Sequence, residues 1–360
     1  MADVFRGYEA RFVMALKKQT DYATALLQAD LDGGNSYRPT AAILPNRQVI
    51  RAGEGARPMQ GDEFSRAASE RITGFDNPFS LGFNLDEKLL AHLAGLLLGE
   101  VGSIQEGITG HWTHTIKPSD PKTAGLDALV SSYYFDSGDT EAGRRKMIIP
   151  SVAVQRLTVT QPQRGYLQLA VDLIGSGKED NATIIVIPAL STEQLYDERM
   201  WRIDLMNKGA GDADISARVR EWSFFMEQEL LADLGYRPNI AALTAAQFRS
   251  RMQFGRRSFG LSMVAETDRT SRDLLDRFEA GTETEVKITV DSGVVAGTGT
   301  DNLGFEARFP AVKLTGSPIE FDGEDGVYRV DVAPAQVFKD DAEAESPFTL
   351  TVESDVAAVI

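Results

Sequence analysis

The chain has 360 residues, with 53 acidic and 37 basic side chains and a formal net charge of −16. A surface this negative repels phosphate backbones, which argues against tight nucleic-acid binding but not against DNA passing by without sticking. There are no cysteines, which excludes disulfides, thiolate catalysis and zinc–thiolate sites. The length allows roughly two or three domains.

The N-terminal region does not have the pattern of an export signal. Its first residues, MADVFRGYEARFVMALKKQT, are charged throughout and lack the apolar core of a signal peptide. The apolar runs elsewhere are too short to cross a bilayer. We therefore expect synthesis and folding in the cytoplasm, without a membrane partner. Residues 9–30 are amphipathic and predict helix in parts, whereas 31–47 and 53–58 are typical of an extended arm or loop.

Regular alternation begins after this arm. Residues 79–85, FSLGFNL, place every second apolar side chain on one face, which predicts a strand. The leucines that follow recur at helical spacing and predict a helix over 86–98, with Asp86 in its first turn. A long polar loop containing Pro118 and Pro121 is expected next, followed by a strand at SSYYF.

Two further segments read as strands with one polar side. Residues 149–178, IPSVAVQRLTVTQPQRGYLQLAVDLIGSGK, predict two strands around a turn, in which leucine and valine alternate with Gln168, Ala170 and Asp172. In EWSFFMEQEL the apolar Trp222 and Phe224 alternate with acidic positions, which favours a strand. The glutamate and leucine content of that segment also permits a helix.

The order of elements recurs in the second half of the chain. Strands are predicted at ETEVKITVD, GFEARFPAVKL, GVYRVDVAPAQ and SPFTLTVES, and TSRDLLDRFEAG predicts a helix that ends at Gly281. The predicted counterparts are strand 258–264 for 79–85, helix 270–280 for 86–98, and hairpin 309–338 for hairpin 149–178. We interpret this order as a duplication, although any two β-hairpins share some likeness. The predicted units are an arm over 1–75 and two modules over 76–235 and 236–360.

No motif in the sequence carries recognisable catalytic chemistry. The histidines are His92, His111 and His114, and the HWTH pair needs more ligands than the sequence offers before it would hold a metal. The glycines of AGTGTDNLG have the wrong spacing for a dinucleotide loop and precede a predicted strand, so a hairpin loop is favoured. No nucleophile–base pair is recognisable. We expect a protein that is not an enzyme and has no cofactor or metal.

Several phrases resemble a known family. They are KKQTDYATAL, IPSVAVQRLTVTQPQRGYLQLAVDLIGSGK and VREWSFFMEQELLADLG, with FPAVKLTGSPIEF, GVYRVDVAPAQVF and SPFTLTVES near the end. In this order they resemble the tail tube proteins (major tail proteins) of long-tailed bacteriophages. The resemblance covers most of residues 10–355. The closing strand lacks the asparagine often found in that family.

The resemblance implies a mainly β fold, with duplicated β-sandwich modules that each carry a flanking helix. It implies that inner strands from all subunits join into one continuous barrel around a lumen, and that stacked rings form a tube in the virion tail. A trimer of two-module chains with sixfold pseudo-symmetry is the expected ring, and a hexamer of single-module chains is the alternative. The implied partners are further copies, the tape-measure, tail terminator and distal tail proteins, and double-stranded DNA in transit into the host.

Such a lumen has to let DNA slide, which favours an acidic or neutral wall. The polar sides of the candidate inner strands supply the predicted lumen-facing residues Gln168, Asp172, Glu221, Glu227, Glu229 and Asp331. Arg156 and Arg329 argue against a uniformly negative wall. An ordinary solvated strand face is the alternative interpretation of these residues.

Two rival functions stay open from the sequence. One is the tube protein of a related phage-derived particle, such as a gene-transfer agent or a tailocin. The other is a non-viral binding β-sandwich, for which we would expect clustered exposed aromatic residues. The tryptophans Trp112, Trp201 and Trp222 are dispersed along the chain, which disfavours this second alternative.

Overall fold

The structure is a computed structural model, and most of its described residues belong to β-strands. It describes residues 11–20, 22, 25–31, 36–38, 48–52, 71–106, 110–136, 146–178, 180–181, 195–207, 214–231, 249, 251–266, 279–281, 283–297, 301–313, 327–332 and 346–357. The strands are β1 (Arg11–Ala15), β2 (Ser36–Tyr37), β3 (Gln48–Ala52), β4 (Arg71–Asn84), β5 (Gly99–Gln105), β6 (Trp112–Pro118), β7 (Ser131–Asp136), β8 (Lys146–Gln161), β9 (Gln168–Gly175), β10 (Asp180–Asn181), β11 (Trp201–Asn207), β12 (Val219–Leu230), β13 (Phe254–Glu266), β14 (Thr284–Val295), β15 (Asn302–Val312), β16 (Val327–Val332) and β17 (Thr349–Ser354). The α-helices among these residues are α1 (Glu87–Leu98) and α2 (Pro121–Ala124).

The described strands form two antiparallel sheets. The large sheet has 11 strands in the order β16-β13-β12-β8-β7-β1-β2, with β9 and β10 also paired to β8, β4 to β9, and β3 to β4. The small sheet has six strands in the order β11-β14-β15-β17-β6-β5. The prediction of a mainly β protein is therefore confirmed, and two packed antiparallel sheets are the arrangement expected of a β-sandwich.

Strand β8 connects two parts of the large sheet, and its pairing partners change next to Ser151. This residue is buried and has a left-handed φ of 57°, and its backbone N–H donates to Oε1 of Gln19 at 2.7 Å. Up to Val152, β8 pairs with β7 and β10, and from Ala153 onward it pairs with β9 and β12. The strands β4, β9, β8, β12, β13 and β16 consequently form one unbroken antiparallel run, called the six-strand series below.

The core lies between the sheets and contains side chains from both halves of the chain. Phe224 of β12 is central: its ring centroid lies 6.1 Å from that of Phe309 in β15 and 6.2 Å from that of Phe348, just before β17. Full burial of a large apolar side chain contributes about 1.5–3 kcal/mol. The apolar side of the six-strand series is therefore firmly held against the small sheet.

Helix α1 is buried on nearly every side and packs mainly on β8 and β6. Asp86 caps its first turn by accepting hydrogen bonds from the backbone N–H groups of Lys88 and Leu89, each at 3.1 Å. It ends at Gly99, whose φ of 89° favours glycine. The predicted helix over 86–98 is thus confirmed, with Asp86 as its N-cap.

Three local predictions need correction. The predicted long loop containing Pro118 and Pro121 instead contains β5, β6 and α2. Thr113 and Thr115 lie on the polar side of β6 and residues 102–105 of the edge strand β5 are exposed, so neither strand shows an apolar alternation in sequence. The amphipathic piece at 9–30 contains the strand β1 rather than a helix at residues 11–15, because β1 is buried on both faces. Strand β11 was not predicted.

The two described strands of the second predicted hairpin do not pair with each other. Strand β15 lies in the small sheet between β14 and β17, whereas β16 pairs with β13 in the large sheet. The predicted turn between them lies outside the described residues. Segments 149–178 and 309–338 have similar spacing in sequence but different pairing. In the first, β8 pairs with β9, whereas in the second, β15 and β16 belong to different sheets. The predicted helix over 270–280 lies outside the described residues apart from its last two, and strands of both predicted modules share both sheets. The boundaries at 75 and 235 stay predictions.

Candidate functional site

The candidate site is the side of the six-strand series that points away from the core, called the polar face below. Successive side chains of a strand point to opposite sides of its sheet. On β12 the even-numbered positions from 222 to 228 are buried, so the predicted residues Glu221, Glu227 and Glu229 lie on the polar face. On β9 the odd-numbered positions are buried, and Gln168 and Asp172 lie on the polar face. The structure therefore places five predicted residues on one surface.

Cross-strand pairing arranges this face in rows that run across the strands. The row with the charges, called the charged row, consists of Ser80, Asp172, Arg156, Glu227 and Ser258. Side chains in such a row are direct neighbours, about 5 Å apart between Cβ atoms. Asp172 and Glu227, which are 55 positions apart in sequence, are thus separated on the face only by strand β8.

Two further rows carry small and hydroxyl side chains. The small row consists of Gly82, Ala170, Thr158, Phe225 and Gly260. The hydroxyl row consists of Asn84, Gln168, Thr160, Ser223 and Ser262, with Asp331 of β16 at the register position opposite Ser262. Glu221, which pairs with Val264, and Asp331 belong to this side by register as well, and most side chains of the three rows are short and polar.

Arg156 does not present a free positive charge. Its guanidinium carbon lies 4.5 Å from the ring centroid of Phe225, and its Nη1 lies 3.9 Å from a carboxylate oxygen of Glu227. Asp172, its neighbour in the charged row, accepts a hydrogen bond from Oγ of Ser80 at 2.5 Å. The carboxylates of Asp172 and Glu227 lie on either side of Arg156 and offset its positive charge, so Arg156 does not make this part of the face basic. The other arginine, Arg329, is placed by backbone register only, opposite Val264.

Glu229 lies where the face ends. The pairing of β12 with β13 shifts register between Gln228 and Leu230, and the carboxylate of Glu229 accepts from the backbone N–H of Arg256 at 3.4 Å. Its neighbour Gln228 is completely buried, and Nε2 of Gln228 donates to the carbonyl oxygen of Val154 at 2.5 Å. Glu229 thus belongs to the rim of the face, whereas Glu227 belongs to its charged row.

A separate buried cluster surrounds the first turn of α1. The hydroxyl of Tyr196 donates to Oε2 of Glu87 at 3.0 Å, and Nζ of Lys88 lies 2.9 Å from a carboxylate oxygen of Asp355. Burial, reinforced by the neighbouring charge of Glu87, raises the pKa of Asp86 to about 7. Burial also raises the pKa of Glu87. The cluster fixes the start of the helix.

The histidines of HWTH are structural in their contacts. Nε2 of His111 lies 2.6 Å from a carboxylate oxygen of Glu353, and Nδ1 of His114 lies 2.8 Å from Oγ of Ser103. Burial lowers the pKa of His114. Within the described residues, no group of three or more histidine, aspartate or glutamate side chains is arranged to hold a metal ion.

Sequence reasoning missed Phe225, the aromatic member of the polar face, and the run of small side chains beside it. The signal for Phe225 was present, since two consecutive phenylalanines in an alternating strand place one ring on each side. In the described part of the chain, no helix is long and apolar enough to cross a membrane. Comparison with models of protein families found no matching family, and comparison with curated proteins found no match.

Proposed function

We propose that this protein is a structural subunit that polymerises as stacked rings into a tail tube, through which DNA passes into the host. The observation that carries the proposal is the polar face itself. It spans six adjacent antiparallel strands, it gathers all six residues predicted to face a lumen, and its apolar reverse side is fixed against a second sheet.

The strand pattern supports assembly by sheet extension. Among the described strands, the six-strand series ends at β16 on one side and at β4, extended by β3, on the other. A sheet edge carries backbone groups that favour pairing with another strand. Edge-to-edge joining of three copies would give 3 × 6 = 18 strands, and barrels of about 16–18 strands enclose a water-filled channel. A closed ring would thereby use both edges of every copy.

The side chains of the face support passage without binding. Tight DNA binding depends on free lysine or arginine side chains that neutralise phosphates. On the described face Arg156 is flanked by Asp172 and Glu227, and the small and hydroxyl rows offer no cation. Arg329 occupies a register position on the same side, in one row with Glu221. A lumen lined by this surface, with few cations and mostly short polar side chains, would hold the DNA backbone only weakly.

Charge reversal on the face tests the proposal. Glu227→Lys combined with Glu229→Lys should leave tube assembly intact but slow DNA delivery, because each ring would gain cations that hold phosphates. Particles that carry the variant would be imaged for tubes and assayed for infectivity or DNA transfer. Glu279→Lys with Glu283→Lys is the matched control, since it makes the same change in net charge at exposed positions outside the six-strand series. Normal delivery by the first variant would overturn the lumen assignment.

A further inference from the structure

One end of the sandwich is basic in a strongly acidic protein. It lies where β6 ends and β13 begins, and hydrogen bonds hold its two segments together: the backbone N–H of Phe254 donates to the carbonyl of Leu126 at 2.8 Å, and that of Ala128 donates to the carbonyl of Met252 at 2.9 Å. Segments 117–128 and 249–257 contain six cations, Lys117, Lys122, Arg249, Arg251, Arg256 and Arg257. Nearby carboxylates are Asp120 and Asp127 in the same segments, with Glu229 beside Gly255 and Glu100 opposite Lys117 on β5.

The net charge of these segments is opposite in sign to that of the rest of the chain. With Glu229 and Glu100 included, these segments carry 6 − 4 = +2, so the rest of the chain carries −16 − 2 = −18. Lys122, Arg256 and Arg257 form no ion pair within the described residues. Arg257 is the most confined: its guanidinium donates to the carbonyl oxygen of Ser119 at 2.9 Å and lies 3.9 Å from the ring centroid of Phe254. A half-buried guanidinium without a counter-ion is a favourable partner for a carboxylate.

The opposite end of the same sandwich is acidic. The two ends are connected by strand β6, whose seven residues span about 20 Å. Two carboxylates lie near the ring of His111, Glu353 at 2.6 Å and Asp301 at 4.0 Å. Glu106 is tied to the same residue through its backbone, whose N–H donates to the His111 carbonyl at 3.2 Å. Exposed carboxylate residues at this end are Glu106, Asp291, Asp301 and Asp355, of which Asp355 is paired with Lys88 at 2.9 Å. They are called the acidic patch, and Lys122, Arg256 and Arg257 are called the basic patch.

We propose that the acidic patch of one copy docks on the basic patch of the next, so that copies stack head to tail along the strand direction. The inference rests on the proposed function, since it names the contacts between successive rings. A head-to-tail contact uses two different surfaces and leaves one of each unoccupied at the ends, so it continues into an open stack. Opposite charge at the two ends steers the encounter and fixes its direction.

Three charge-reversal variants test the docking. The first, Lys122→Glu with Arg256→Glu, changes the net charge to −16 − 4 = −20. The second, Glu106→Lys with Asp301→Lys, changes it to −16 + 4 = −12. The third combines all four substitutions and restores −16 while exchanging the signs of the two patches. All four side chains are exposed, and circular dichroism would verify that each variant folds.

Self-association would be measured by sedimentation velocity and concentration-dependent light scattering, at low and high salt. At low salt each two-site variant should associate about tenfold more weakly than the wild type, and the four-site variant should recover to within about twofold. A variant of net charge −12 that associates more tightly than wild type would show that overall repulsion governs association, and would overturn the docking. A four-site variant as weak as the two-site variants would also overturn it.

Electron microscopy separates this inference from the proposed function. Single rings that fail to stack in the two-site variants would support both. If the rings of all three variants stack as the wild type does, the tube proposal stands and the docking proposal is wrong. If association is lost in the two-site variants and recovered in the four-site variant but no rings form, the docking proposal stands and the tube proposal is contradicted.

Discussion

Asp86→Asn should stabilise the protein at pH 8 and change its stability little at pH 4. Asp86 is almost completely buried and accepts two backbone hydrogen bonds at the start of α1. Asparagine caps helices about as well as aspartate and has the same shape, but it does not ionise. The substitution therefore keeps the cap and removes only the cost of burying a negative charge beside Glu87.

The magnitude follows from the pKa of Asp86, which burial raises from its ordinary value of 3.8 to about 7. Because the folded state holds the proton more tightly, this group's contribution to stability is complete below about pH 4 and is lost as the pH rises through 7. The gap of about 3 between the two pKa values corresponds to roughly 4 kcal/mol at pH 8. Allowing about 1 kcal/mol for the lost attraction between carboxylate and helix N-terminus, we expect a net gain of about 3 kcal/mol.

The assay is urea unfolding followed by circular dichroism at pH 4 and pH 8, for wild type and variant in parallel. The difference between the two proteins cancels the other titrating groups, which they share. Asp127→Asn makes the same chemical change at an exposed position and should alter the free energy of unfolding by less than about 0.5 kcal/mol. If Asp86→Asn were less stable than wild type at both pH values, the ionised cap would be stabilising and the reasoning would be refuted.

Two further predictions concern packing, and thermal unfolding checks both. Gly304→Ala should cost more than about 2 kcal/mol or prevent folding, because its methyl group would overlap the carbonyl oxygen of Val290 on β14. Gly82→Ala, with no atom within 4 Å of the new methyl group, should cost less than about 0.5 kcal/mol; equal losses would contradict the packing argument. Phe224→Ala should cost about 3–5 kcal/mol, whereas Phe225→Ala on the polar face should cost about 1 kcal/mol.

Strands with one buried side were predictable because apolar and polar residues alternate along their sequence. In β12 the sequence WSFFMEQEL places Trp222 and Phe224 on one side and acidic positions on the other, and the structure confirms the strand over the helix that its glutamates also permit. The same alternation on β9 located Gln168 and Asp172 correctly on the polar face. The two-residue alternation of apolar and polar side chains was sufficient to predict these strands and their faces, because one side of the sheet packs on the core and the other faces solvent.

Strands without that contrast were not predictable. β1 is buried on both sides, and the edge strand β5 is mostly exposed, so neither has a periodic signal. Pairing partners were harder still, because nothing local tells β16 to join β13 in the large sheet and β15 to join the small one. The buried cluster at Asp86 depends on Tyr196, a residue 110 positions away, and thus on the completed fold.

Negative-stain microscopy of the purified protein at high concentration, with its native mass measured alongside, tests the central proposal most directly. The account predicts rings or tubes with a central hole, and a ring mass near 3 × 39.3, or about 118 kDa, for a trimer. Rings of six chains would retain the tube and remove the trimer. A chain that forms no rings, either alone or with the other tail proteins, would contradict the proposed function.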